Sequence, residues 1–168
     1  MGIEVKKLEK YIDTYDIFRV LMSQDNFKEN KISFLDSSLK NKYGKYSIIG
    51  INPYLELKEK DNKFYINDKL SDENFEEYLD RFLKENKQEN KYDLPLISGG
   101  IVYFSYDYGR KFENIKTNHK KDVDIPEAVI RFYKTYIIED IEKQEIYISY
   151  QDKKDYDNLI NILKKMII

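Results

Sequence analysis

The stretch ISGGIVYFSYDYGRKFE, residues 97–113, decides how this chain is read. It opens on Gly99-Gly100, where the missing Cβ lets the backbone turn tightly or be approached closely. Ile101, Val102, Tyr103 and Phe104 follow as a run of strand formers, which predicts a mostly buried strand. The strand stops abruptly at Tyr106-Asp107-Tyr108-Gly109-Arg110. Asp107 and Arg110 are three residues apart, a spacing at which they meet if the chain turns helical. From the residues alone this is a central core strand with a capped polar turn.

Outward from that segment, hairpins and amphipathic helices fill the chain. Residues 14–26 place Ile17, Phe18, Leu21 and Met22 at helical spacing, with Thr14 or Asp16 as cap. Residues 31–37 read as a strand that turns polar at its end, and 39–44 as a polar loop closing on Gly44. Residues 46–51 form a short apolar strand, and Asn52-Pro53 marks a turn. Residues 54–60 alternate apolar and charged, as a half-exposed strand does, and Asp61-Asn62-Lys63 turns them into a partner at 64–66. Ser71 is the expected cap of a helix to about residue 86, lined on one face by Phe75, Tyr78, Leu79, Phe82 and Leu83. Residues 84–93 form a solvated loop. After the central strand comes a polar segment, 114–124, carrying His119, the only histidine. Residues 128–141 and 145–150 make a second hairpin about Glu142-Lys143-Gln144. A last helix, 155–168, presents Tyr156, Leu159, Ile160 and Leu163. The order predicts an α+β fold of mostly antiparallel sheets with flanking helices.

Bulk composition narrows the function classes. At 168 residues the chain suits one domain or one lobe of a larger protein. It holds no Cys, which excludes a disulfide scaffold, a thiolate nucleophile and a Cys-based zinc site, and fits a reducing, cytoplasmic setting. The charged N-terminus is no signal peptide, and no apolar run reaches the length that spans a bilayer. Aromatic strands interleaved with Lys have the composition of a base-stacking platform. The net charge of −2 speaks against it, and an aromatic core accounts for the same residues. Neither a nucleic acid nor a membrane is expected as a partner.

Catalytic material is thin. His119 lies among polar neighbours, and no metal-ligand spacing or phosphate-binding Gly-rich loop is present. We assign no catalytic residue and no metal ligand to this chain. Two polar strand ends stand out: Leu35-Asp36-Ser37-Ser38 and Lys45-Tyr46-Ser47. A carboxylate, hydroxyls and an ammonium facing one pocket would suit a small zwitterion, with Asp36 taking an amine, Lys45 a carboxylate and Ser37 either. Strand-end polar residues are also ordinary turn formers.

Three blocks resemble the N-terminal domain of the component I family of anthranilate synthase and aminodeoxychorismate (para-aminobenzoate) synthase. They are FLDSS at residues 34–38, GKYSIIGINP at 44–53, and GGIVYFSYDYGRKFE at 99–113. The last is the most specific, with Gly99, Gly100, Asp107, Gly109, Arg110 and Glu113 as its signature positions. The resemblance implies that residues 1–168 are a single N-terminal, non-catalytic domain, inactive alone. It implies a parent enzyme that aminates chorismate, with Mg²⁺, a C-terminal chorismate-binding domain and a glutamine amidotransferase partner. It implies that Asp36, Ser37 and Lys45 form half of a tryptophan-type pocket. Asp36 stands where many anthranilate synthases carry Glu, and this shorter acid implies weak or no tryptophan binding. Gly109 before Arg110 points to the aminodeoxychorismate branch of folate biosynthesis, with the anthranilate branch of tryptophan biosynthesis as the alternative. A stand-alone ligand-sensing module on the same fold is the reading from a different class. Asp107, Arg110 and Glu113 are expected to fix the strand's exit by ion pairs.

Overall fold

The computed structural model describes residues 2–27, 32–39, 43–113 and 123–166. Eight strands and four helices run in the order β1 (Glu4–Lys7), α1 (Thr14–Met22), β2 (Ile32–Leu35), β3 (Tyr46–Lys60), β4 (Lys63–Ile66), β5 (Lys69–Ser71), α2 (Phe75–Glu85), β6 (Gly100–Phe104), α3 (Arg110–Glu113), β7 (Ala128–Asp140), β8 (Glu145–Tyr150) and α4 (Lys153–Lys164). Short 3₁₀ turns occupy Asp25–Phe27 and Tyr106–Gly109. The architecture is the expected one, mostly antiparallel sheet with flanking helices. No described helix is long and apolar enough to cross a membrane. The chain divides into two units, and β3 and β7 each contribute residues to both.

The first unit comprises Met1–Tyr54, Glu89–Gly99 and Phe132–Ile168. Its strand order is β1-β8-β7-β3, with β2 also on β3. Ile17 and Leu21 of α1 and Leu159 and Leu163 of α4 are buried with Ile49, Ile51, Ile137 and Ile148 of the sheet. Each helix puts its apolar residues four apart, so one stripe faces the sheet. The cap of α1 is Asp13, one residue before the expected Thr14, and its carboxylate accepts from the Tyr15 N–H at 2.8 Å. Thr14 is drawn instead to Glu139 of β7. That buried carboxylate accepts from the hydroxyls of Thr14 and Tyr11 and from the Thr14 N–H at 3.3 Å. Burial, and then Glu139, push the Tyr11 hydroxyl well above its ordinary pKa. Helix α4 begins at Lys153, capped by Asp152, two residues before the expected start.

Asn52-Pro53 does not turn the chain, because β3 runs unbroken through it. Asn52 takes a left-handed φ of 53°, which lets the strand accommodate Pro53 without reversing. Gly50 has a packing reason: a Cβ there would lie 2.7 Å from the ring of Tyr133 on β7.

The second unit comprises Leu55–Gln88 and Gly100–Arg131. Its strands are the end of β3 with β4 and β5, and β6 on β7. Asp61 (φ 51°) and Asn62 (φ 58°) make the expected turn, and Asn67 (φ 48°) and Asp68 (φ 63°) make a second one. Two consecutive left-handed residues are the geometry of a type I′ hairpin turn, which Asn and Asp tolerate. The second turn adds β5, absent from the sequence reading. Asn74, not Ser71, caps α2, accepting from the Glu77 N–H at 3.0 Å. Only Phe75 on the apolar face of α2 is fully buried, and Leu83 remains exposed.

The central strand departs most from expectation. Residues 101–104 lie in β6, but they are not buried. Val102, Tyr103 and Phe104 stay 48%, 44% and 47% exposed, and Tyr106 beyond them is 95% exposed. Pairing with β7 settles the backbone of β6, while the side chains from Val102 to Phe104 each keep nearly half their surface exposed. An apolar run by itself does not say which layer it lies in. The polar segment 114–124, with His119, falls almost wholly outside the described residues.

Candidate functional site

The end of β2 and the start of β3 bring two of the expected binding residues together. Leu35 pairs with Ile48 in antiparallel register, so the next residues along, Asp36 and Ser37, run back against Ser47 and Tyr46. The Ser37 N–H donates to Ser47 Oγ at 3.1 Å, and Ser37 Oγ donates to the Tyr46 carbonyl at 2.7 Å. Ser47 Oγ in turn lies 3.5 Å from an Asp36 oxygen. Ser47 is 2% exposed and carries the buried end of this network. Gly44 lets the connection close, since a Cβ there would sit 2.4 Å from the Leu39 carbonyl oxygen.

Lys45 is held through its backbone, not its ammonium. Its N–H donates to the Tyr43 carbonyl at 3.1 Å and its carbonyl accepts from the Ile141 N–H at 3.0 Å. Its side chain is exposed and is not brought onto Asp36 or Ser37. The arrangement therefore offers a carboxylate and a hydroxyl pair at one lip. It can accept hydrogen bonds from an amine. It does not activate a nucleophile, because the Ser37 hydroxyl is already committed to a carbonyl.

The signature segment builds a different structure, from Gly99 at the end of the first unit's segment into the second unit. Gly99 sits at φ 134°, a backbone that L side chains rarely adopt, and this fixes the turn into β6. Beyond β6 the chain does turn helical, and Arg110 Nε meets Asp107 Oδ1 at 3.0 Å, as the spacing predicts. Glu113 is exposed and is not brought onto that pair. A Cβ at Gly109 would meet nothing within 4 Å.

The residue sequence reasoning missed is Lys111. Its ammonium lies 2.8 Å from both carboxylate oxygens of Glu59 and also contacts Glu76. It stands 4.4 Å from the centroid of the Tyr108 ring, whose hydroxyl donates to Glu76 at 2.9 Å. Tyr108 stacks on Phe104 at 4.6 Å and meets Phe75 edge-on at 6.3 Å. Burial works against the charge on Lys111, yet Glu59 and Glu76 outweigh it and the ammonium is held above its ordinary pKa. Burial also works against the Glu76 carboxylate, and Lys111 with Tyr108 reverse it, leaving Glu76 below the usual range. Burial and then Glu76 push the Tyr108 hydroxyl up. A signal for this hub was present: Leu55, Leu57 and Glu59 share one face of β3, so an acid was bound to point inward with them. A buried carboxylate needs a cation, and the nearby turn supplies it.

Among the described residues no group of three or more His, Asp or Glu side chains could hold a metal ion. The Mg²⁺ that the resemblance implies has no donor set among them.

The fold is mostly antiparallel sheet with flanking helices, and it carries two polar constellations, at Asp36–Ser37–Ser47 and at Glu59–Glu76–Lys111. A solved structure of anthranilate synthase component I from Streptococcus pneumoniae TIGR4 has the same fold, with a TM-score of 0.63 and 19% identity over 96% of this chain and 37% of that one. By sequence the chain is 32% identical to anthranilate synthase component 1 of Acetivibrio thermocellus over 130 residues, 73% of this chain and 26% of that protein. It is 31% identical to the Lactococcus lactis protein of the same name over 121 residues, 70% of this chain and 26% of the relative. A shorter stretch of 61 residues is 38% identical to aminodeoxychorismate synthase component 1 of Salmonella typhimurium, covering 36% of this chain and 13% of that protein. No protein-family model matches the sequence. Homologues of this chain are thus anthranilate synthase component I and aminodeoxychorismate synthase component I, which it matches in their N-terminal region. The chain spans about a quarter of the length of the first of these relatives (26%).

Proposed function

We propose that this chain is the N-terminal, non-catalytic lobe of a chorismate-aminating component I. The observation that carries the reading is β6. Its signature strand leaves Val102, Tyr103 and Phe104 about half exposed, which suits a lobe that works against a larger body. The thin catalytic inventory and the span of 26% of the relatives' length support the same reading. On it, chorismate and Mg²⁺ are handled by a C-terminal domain, a glutamine amidotransferase component supplies ammonia, and the enzyme works in the cytoplasm.

Of the two products, anthranilate is the better supported. Relatives of that name match 73% and 70% of the chain, against 36% for the aminodeoxychorismate relative from Salmonella. The aminodeoxychorismate reading rests on Gly109. That residue is exposed and a Cβ would meet no neighbour, so local sterics give no reason for Gly there. Product analysis on the full-length natural protein, with chorismate, Mg²⁺ and ammonium, tests the proposal. Anthranilate is expected, and the 168-residue chain alone is expected to yield no product. If the natural protein yields neither product, the enzyme reading falls and a ligand-sensing module replaces it.

The Asp36–Ser37–Ser47 lip is, on this reading, half of a tryptophan-type pocket. Lys45 stands outside its hydrogen bonds, and we expect this chain to bind tryptophan weakly or not at all. A calorimetric titration giving micromolar affinity would contradict that.

A further inference from the structure

The other end of the same strands carries a cavity of about 490 Å³ that none of the foregoing uses. It lies within the first unit, between the segment after α1 that carries Gln24 and Phe27, α4 and the sheet. The register separates it from the Asp36 lip: Ile51 at the cavity pairs with Ile32, whereas Ile48, next to Ser47, pairs with Leu35 at the far end of β2. Its size falls within the usual range for small-molecule sites.

The lining has a definite chemistry. Thr135 of β7 lines the cavity, is 3% exposed, and its Oγ1 has no hydrogen-bond partner. Buried hydroxyls nearly always have one, so this is a donor and acceptor awaiting an occupant. The polar wall continues with Gln24, Asn52, Asp155 and Asn158, and the apolar wall includes Phe27 and Leu159. Among the described lining residues Asp155 is the one ionisable group and none is basic. An anionic ligand would leave its own charge uncompensated beside Asp155. A cationic head with an apolar body has its charge matched by Asp155, its donors taken by the amides and Thr135, and its body placed on Phe27 and Leu159.

The geometry points to a second ligand site at Thr135 and Asp155, selective for a small amine with an apolar body. It does not depend on the chorismate reading, since every residue in it belongs to this chain. The test is amide NMR on the 168-residue chain, titrated with phenethylamine and, separately, with phenylacetate at equal concentration. Phenethylamine is expected to give saturable shifts centred on Asn52, Thr135 and Asn158, and phenylacetate none. Asp155→Asn and the near-isosteric Thr135→Val are each expected to weaken binding about tenfold or more, while Ser37→Ala, at the other end of the strands, leaves it unchanged. If Asp155→Asn disturbs the first turn of α4, Thr135→Val carries the test alone. The proposal is overturned if phenylacetate shifts the same amides as strongly as phenethylamine. It is also overturned if neither ligand saturates by about 10 mM, which would make the cavity a hydrated groove.

Discussion

Lys111→Met removes the one cation that Glu59 contacts among the described residues, while leaving an unbranched apolar side chain beside the Tyr108 and Phe112 rings that the ammonium faces. The Glu59 side chain is only 9% exposed, so its carboxylate has little water to turn to. Breaking a buried pair from one side costs about 3–5 kcal/mol. The Lys111 side chain is 32% exposed, which places this pair at the lower end, near 3 kcal/mol. Glu76 adds little, because its side chain is 36% exposed and it keeps the Tyr108 hydroxyl. An exposed pair of that kind contributes up to about 1 kcal/mol. The assay is urea denaturation followed by tyrosine fluorescence, with a double-mutant cycle through Glu59→Gln. Lys111→Met alone is expected to lose about 3 kcal/mol, and the double mutant to recover more than half of it, because a neutral amide tolerates the site that a lone carboxylate does not. A loss under about 1 kcal/mol, or a double mutant no more stable than Lys111→Met, would refute the reasoning.

Other measurements probe the remaining framework. Gly50→Ala drives a methyl to within 2.7 Å of the Tyr133 ring, and that ring is 1% exposed and tied to Ser33, so it has nowhere to move; a loss of about 1–3 kcal/mol in urea denaturation is expected. Tyr150, pushed up to about 12 by burial and then Glu4, and Tyr108 and Tyr136, raised chiefly by burial, should resist ionisation in an ultraviolet titration until the chain unfolds. Their folded pKa values lie above the unfolded ones, so this stability is present below the ordinary tyrosine range and is lost as pH rises through the folded values. Glu76 and Asp140 behave oppositely. Burial raises each, but Lys111 with Tyr108 for Glu76, and the backbone N–H and ammonium of Lys143 for Asp140, bring both below the usual carboxylate range. Their contribution is present above that range and is lost as pH falls through the depressed values, so the urea midpoint should drop on acidification below about pH 4.

Most of the fold was legible because it is written in periodicity. The stripe of α1, the alternation of residues 54–60 and the turn at Asp61-Asn62 each translate directly into structure. What escaped is written in backbone or in tertiary partners. Strand β1 has the sequence EVKK, with three charged side chains in four residues, and it exists because its backbone completes the edge of β8. The cap of α1 moved by one residue because Glu139 competes for Thr14. The geometry of the candidate lip was legible in part. Residue types pointed to Asp36 and Ser37, and register delivered them to Ser47, but charge alone gave no reason for Lys45 to turn outward. Lys111 escaped because Arg110-Lys111 reads as surface charge until Glu59 is seen to face the same way as Leu57.

The glycines show how a motif separates into folding and other constraints. Gly99 is required by its φ of 134°, Gly44 by the Leu39 carbonyl and Gly50 by the Tyr133 ring. Gly109 is required by none of these. It closes a 3₁₀ turn at an exposed position, with open space where a Cβ would stand. Gly109→Val is therefore expected to change stability by no more than about 0.5 kcal/mol, since a surface substitution away from packing and strain does little. On the proposed enzyme reading it should leave the product of the full-length natural protein unchanged as well, because a Cβ there would meet no described group of this chain within 4 Å. A switch of product on Gly109→Val would refute this. It would make position 109 a determinant of the reaction, acting through a surface that the rest of the enzyme covers, and would return the aminodeoxychorismate branch to first place.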